Sequence, residues 1–317
     1  MRRCAFLLML MLSVVTIRAQ YVSAIQPQQY NKTLHWGGAF QHLDLLYTLG
    51  TMGVGIEAAT PLGADWRLRA GVTYLPWFKK TAHMDVYVGD DQSHLADVQE
   101  LMLFEKNYSM KSVVSMSGML SMLNAKILVD WFPLDDDKKF RITAGLFWGP
   151  ARISKITPDD DSAGTLSCIA AYNKMYDEAS DDDEILSWGY AGLYMGKYGH
   201  DVLDGQGDIE HSAGDTYLMM PDDNGHLNID VKTNSFKPYI GAGYEIGLQK
   251  NKDKWKLAID AGVLFWGGAP SMRVSSDGIN LVKDINDIPN KKGDYIKKVK
   301  KFVAYPNISV SIVHHIF

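Results

Sequence analysis

"WKLAIDAGVLFW", Trp255–Trp266, sets Trp255, Leu257, Ile259, Ala261, Val263 and Phe265 against Lys256, Ala258, Asp260, Gly262, Leu264 and Trp266. The first set is wholly apolar, and the second carries the charge. Period-two alternation is a strand, because successive side chains leave opposite faces of the pleat. An aromatic residue closes each end. Whether the apolar face meets a protein core or lipid decides the fold.

The pattern recurs along the chain. "WRLRAGVTYLPW" places Trp66, Leu68, Ala70, Val72 and Tyr74 opposite Arg67, Arg69, Gly71 and Thr73. "AKILVDWF" sets Ala125, Ile127, Val129 and Trp131 against Lys126, Leu128, Asp130 and Phe132. "FRITAGLFW" sets Phe140, Ile142, Ala144, Leu146 and Trp148 against Arg141, Thr143, Gly145 and Phe147. "YIGAGYEIGL", "MGVGIEAAT" and the terminal "NISVSIVHHIF" alternate likewise, with Glu245 and Glu57 in the polar phases of the first two. An eighth, less regular strand is read in "GGAFQHLDLLYTL", where Ala39, Leu43, Leu45 and Tyr47 oppose His42 and Asp44.

The connections alternate in length. Residues 61–65, 133–139 and 249–254 are short and polar, whereas about 79–112, 156–235 and 273–301 are long. An up-and-down meander of eight strands puts the short turns on one side and the long loops on the other. The aromatics follow: Trp66, Trp131, Phe132, Phe140, Trp255 and Phe317 beside the short turns or at the C-terminus, and Trp77, Phe78, Phe147, Trp148, Phe265, Trp266 and Tyr305 at the opposite ends. Trp66 and Trp77, and Trp255 and Trp266, stand eleven residues apart, close to the ~9–11 that a tilted strand needs to cross hydrocarbon. Alternation alone also fits a soluble barrel with an apolar core. The paired aromatic ends, the strand lengths and the one-sided long loops select an all-β, eight-stranded antiparallel transmembrane β-barrel, its apolar face toward lipid.

The first residues support export. "MRRCAFLLMLMLSVVTIRAQ" has the charged start, apolar run and small residue of a signal peptide over residues 1–19, followed by a short periplasmic segment at 20–33 and the barrel at 34–317. Removing 1–19 takes away three arginines and no acids, moving the formal net charge from −5 to −8. The mature chain keeps one cysteine, Cys168, so it has no internal disulfide framework.

With the signal peptide, "KPYIGAGYEIGL" and a final strand ending in Phe317, the sequence resembles the small outer-membrane β-barrel proteins of Gram-negative bacteria. That resemblance implies the cell outer membrane, a monomer, outer-membrane lipid and lipopolysaccharide as surroundings, and Phe317 as part of the signal read by the barrel-assembly machinery. Family members usually keep the terminal aromatic in the lipid phase. Here Ile312 and Ile316 hold that phase and Phe317 does not, so a bulge or bend is expected near His314 and His315.

The ionisable residues of the non-lipid phase are Arg67, Arg69, Lys126, Arg141 and Lys256 against Asp44, Glu57, Asp130, Glu245 and Asp260. An eight-stranded barrel is just wide enough for its own side chains. Equal numbers of opposite charges therefore predict a packed, ion-paired interior rather than an open pore.

Residues 157–234 hold seventeen Asp and Glu against three Lys. A loose divalent-cation site, a surface-ligand site and a merely solvated acidic surface all fit that excess. "DDNGHLNID", 222–230, lacks the first and last ligands of an EF-hand. Lys297, Lys298, Lys300 and Lys301 reverse the sign in "DYIKKVKKF" and suit the acidic loop or lipopolysaccharide phosphates. His211, Ser212 and Asp215, or His200 and Asp201, are the residue types of a hydrolase without strand spacing to fix them. No cofactor or nucleic-acid motif appears. The expected function is a barrel serving as a pedestal for surface loops, with a binding, adhesion or envelope-structural role and no enzymatic activity. The alternatives are a narrow transport barrel for a small solute or a membrane enzyme.

Overall fold

Alternating faces of the kind seen in Trp255–Phe265 can pair on both edges, and here they do so until no edge remains. The computed structural model describes residues 42–134, 138–180, 184–203, 205–248 and 254–316, without the side chains of 76–78, 290–292 and 295. The predicted signal peptide, the 20–33 segment and Phe317 lie outside the described residues.

The barrel strands are β1 (Asp44–Gly50), β2 (Gly53–Pro61), β3 (Trp66–Val88), β4 (Val113–Trp131), β5 (Phe140–Trp148), β6 (Phe236–Gly247), β7 (Trp255–Phe265) and β8 (Ala304–His315). Each pairs antiparallel with the next, and β8 pairs with β1, closing an eight-stranded up-and-down barrel. Closure removes the unpaired edge that an open sheet would expose.

The outward face is apolar. Val54, Ile56, Val72, Leu123, Ile127, Ile142, Leu146, Ile240, Ile259, Ile308 and Ile312 are exposed, while their strand neighbours of the other phase are buried or, where glycine, half-buried. Water would not tolerate so continuous a belt, which is what a hydrocarbon solvent selects. Aromatic pairs mark its rims. Trp66 stacks on its register partner Trp131 at 6.1 Å, and Trp255 on His314 at 4.2 Å, beside the short turns. Trp148 stacks on Phe236 at 6.4 Å at the other rim. The barrel spans a membrane.

Three expectations change. Phe147 and Trp266 do not belong to the outer girdle: they are 1% and 6% exposed and join Met52, Met122 and Tyr239 in an apolar layer inside the barrel mouth. Tyr305 packs against that layer, 5.6 Å from Trp266. The bend expected near His314 and His315 is also absent, since β8 keeps its register with β1 through both histidines and with β7 up to His314. His314 faces outward against Trp255, and His315 hydrogen-bonds Asp44 at 2.7 Å.

The largest difference concerns the long connections, which form a folded cap rather than loops. β3 and β4 continue past the rim, pairing from Phe78↔Leu120 up to Asp85↔Val113. On one side Val86–Val88 pair with the strand Ala191–Tyr198; on the other, Arg152–Pro158, Ile229–Lys232 and Ser271–Val274 extend the sheet in turn. Three helices, α1 (Leu95–Lys106), α2 (Asp160–Asp177) and α3 (Asn290–Lys301), complete it. α1 stops at Asn107, whose left-handed φ of 55° lets its N–H bond back into the last turn. Asp160 and Asp161 occupy the first turn of α2, where the helix dipole favours negative charge. Met84, Val98, Met102, Leu166, Ile169 and Leu281 share one buried core drawn from all three long connections. Each such side chain contributes roughly 1.5–3 kcal/mol on burial, so the acidic segment is held by its apolar residues.

Candidate functional site

Inside the barrel, the polar phase of β2–β7 converges. Arg67 donates through Nε and Nη2 to Asp130 Oδ2 at 2.9 and 2.8 Å and also reaches Glu245. Arg69 bridges Asp130, Asp260 and Glu57 at 3.0, 3.4 and 3.4 Å. Arg141 donates to Glu245 at 2.7 Å and to both oxygens of Asp260 at 2.8 Å. Lys126 completes the set on Glu57. The neutral hydroxyls help: Thr143 donates to Asp130 at 2.7 Å and Thr48 to Glu57 at 2.9 Å. These charged side chains are at most 8% exposed, so removing any one of them leaves a buried charge without its partner.

The structure thus brings together Glu57, Arg67, Arg69, Lys126, Asp130, Arg141, Glu245 and Asp260. Asp44 and Lys256 stand apart, half-buried at the short-turn mouth, with Asp44 bonded to His315. Sequence reasoning missed Lys237. It is fully buried, with Nζ 3.4 Å from Asn124 Oδ1 and from Ser235 O. Its signal was its phase, shared with Tyr239 and Glu245. The expected balance of charge is corrected accordingly: the buried lumen residues among those described are five cations, counting Lys237, and four carboxylates.

The remaining volume is filled. Leu46, Ala59, Ala258 and Val313 pack together on the β1, β2, β7 and β8 wall. Above the ion pairs, Phe147 and Tyr239 lie 5.5 Å apart in the apolar layer, with Lys126 Nζ 5.5 Å from the Phe147 ring. A cavity of about 10 Å³ beside Thr73, Lys126 and Asn307 holds one water molecule at most. Such an interior locks the strands together.

In the cap, the candidate catalytic groups are engaged in other contacts. Asp215 accepts from the Ser212 N–H at 2.8 Å, closing a turn, while His211 stacks on Tyr198 at 4.7 Å. Asp201 accepts from the Ala213 N–H, and His200 lies 3.9 Å from Asp284. In the 222–230 segment, Asp222 accepts from the N–H groups of Asn224 and His226, which hold its carboxyl below the usual range. No cluster of three or more metal-ligating side chains occurs among the described residues. Tyr217 donates to Asp277 at 2.7 Å; burial and that carboxylate hold its phenol well above the ordinary range. These contacts build turns and a core.

No protein-family model matches the chain, and no curated protein matches it. It is similar to the crystal structure of CarO2 of Acinetobacter baumannii, at 12% identity over 87% of this chain and 98% of that one, with a TM-score of 0.39. The CarO structure of Acinetobacter baumannii gives 11%, 86%, 96% and 0.38, and a major outer membrane protein from Thermus thermophilus gives 12%, 87%, 98% and 0.35. These scores lie below 0.5. The membrane barrel stands on this chain's own closed register, apolar exterior and charged interior.

Proposed function

We propose that the protein is an outer-membrane pedestal: a lipid-anchored barrel with a closed lumen that presents a folded cap for binding at the cell surface. One observation carries this reading. The long connections share a single buried core above a lumen filled by ion pairs and aromatic rings. A barrel used as a conduit leaves its interior open, whereas here the ordered surface lies outside.

Two measurements on the full chain test it. On intact cells, a membrane-impermeant amine reagent is expected to label Lys174, whose side chain is 75% exposed on α2. Proteoliposomes containing the protein are expected not to swell in iso-osmotic monosaccharide or amino-acid solutions. An unlabelled Lys174 would remove the cap from the surface. Swelling would replace the pedestal with the transport reading.

A further inference from the structure

One cation of the lumen stands outside its ion pairs. Glu57, Asp130, Glu245 and Asp260 are each bonded by Arg67, Arg69, Lys126 or Arg141. Lys237 is fully buried, and no carboxylate among the described residues reaches its ammonium group. That group has three N–H donors. Its acceptors are Asn124 Oδ1 and Ser235 O, each at a long 3.4 Å. A buried charge without a partner is costly, and so is a buried donor without an acceptor.

The neighbouring groups deepen the shortage of acceptors. Asn124 is 1% exposed and Trp266 is 6% exposed, and neither Asn124 Nδ2 nor Trp266 Nε1 has a hydrogen-bond partner. Turning the Asn124 amide over relieves nothing, because its N–H groups would then face the ammonium. The three residues share one layer. Lys237 is the register partner of Phe147, and Phe147 is that of Lys126, two residues from Asn124. On the other side Tyr239 pairs with Leu264, so Lys237 and Trp266 each stand one inward-facing step further toward the cap. Phe147, Tyr239, Leu264 and Trp266 wall the layer with apolar surface. Thr73 Oγ1 and Asn307 Oδ1, also unpaired, line the cavity of about 10 Å³ and can share a water there.

Five buried cations against four carboxylates leave one positive charge to be matched. A water molecule accepts hydrogen bonds but brings no charge. A monovalent anion supplies both.

We propose that Lys237, Asn124 and Trp266 form a halide site at the outer mouth of the lumen, with chloride held by the ammonium and the two side-chain N–H groups. The layer is packed with rings, which favours a small, round ion over an organic carboxylate. Ser235 and Lys237 follow directly on the cap strand Ile229–Lys232, so the ion ties the root of the cap to the barrel wall. The site stands on the geometry of the lumen and is independent of what the cap binds.

The test uses full-length protein refolded in detergent micelles, its folded mobility on unboiled gels checked first. The unboiled-to-boiled transition is then followed while gluconate is exchanged for chloride, bromide or acetate. Ionic strength is held constant, which removes general screening. Wild type is expected to gain thermal stability saturably with chloride and bromide. Lys237→Met replaces the ammonium by an apolar chain, and is expected to fold and to lose this dependence. Trp266→Phe keeps a ring but loses the N–H. It is expected to need about tenfold more chloride, the loss of one charge-assisted hydrogen bond. Crystals of wild type grown in bromide are expected to show an anomalous peak within hydrogen-bonding distance of Lys237 Nζ. No saturable halide effect in wild type, the same effect in Lys237→Met, or no such peak would overturn the proposal. Equal stabilisation by acetate would overturn halide as the occupant.

Discussion

Arg141 and Asp260 meet across Gly243, which is the register partner of both. Arg141 Nη2 donates to both Asp260 oxygens at 2.8 Å. A Cβ on residue 243 would lie 2.6 Å from Asp260 Oδ1 and 2.9 Å from Arg141 Cζ. The glycine makes room for the ion pair.

Asp260→Asn leaves buried guanidinium groups short of a counter-charge, at a cost of about 3–5 kcal/mol. Its unboiled-to-boiled transition on gels is expected well below that of wild type. Gly243→Ala is expected to lower it too, by displacing the pair without removing charge. A wild-type transition in both variants would mean that the network contributes nothing to closure.

Adjacent residues of β8 test which face meets lipid. Ile312 is 42% exposed and Ser311 is 1% exposed. In a Cys168→Ser background, Ile312→Cys is expected to react with a lipid-phase maleimide and Ser311→Cys to resist it. The reverse pattern would turn the barrel inside out.

The cap is predicted to unfold separately from the barrel, because its core lies above the rim. Ile169→Ala removes a fully buried side chain of α2, costing about 2–5 kcal/mol. Limited proteolysis is expected to cleave the cap of this variant faster while the barrel keeps its folded mobility. Equal loss of both would show one cooperative unit.

Cys168 is buried in that core, and burial pushes its thiol up from 9.0 to about 11. The neutral thiol is the favoured native form. Its stabilising contribution is complete below pH 9 and is lost as pH rises toward 11. Mature folded protein at pH 8 is expected to react with a thiol reagent far more slowly than boiled protein. Equal rates would place Cys168 outside the core.

The barrel was legible because lipid imposes one rule on every strand: apolar residues at every second position, without interruption. The eight network residues followed from the opposite phase. The rims were harder. "LFW" puts rings on both phases at Phe147 and Trp148, and only the register shows that Phe147 closes the lumen while Trp148 meets the interface. Lys237 was obscured beside Pro238 at the start of its strand. The cap was illegible because its core pairs residues as distant as Met84, Leu166 and Leu281, none belonging to a long periodic run. Counting acids in 157–234 drew attention to its charge, although Leu166, Ile169 and Tyr217 in that same stretch are buried.

The most direct test of the central claim is conductance of the full-length protein in planar bilayers. The closed lumen proposed above is built from ion pairs, the Phe147–Tyr239 layer and a cavity of about 10 Å³. Wild type is expected to insert, as shown by its gel mobility, and to give no stable unitary conductance in molar salt. A reproducible ohmic step in wild-type protein, altered by Asp260→Asn, would contradict the closed lumen and make the barrel a channel.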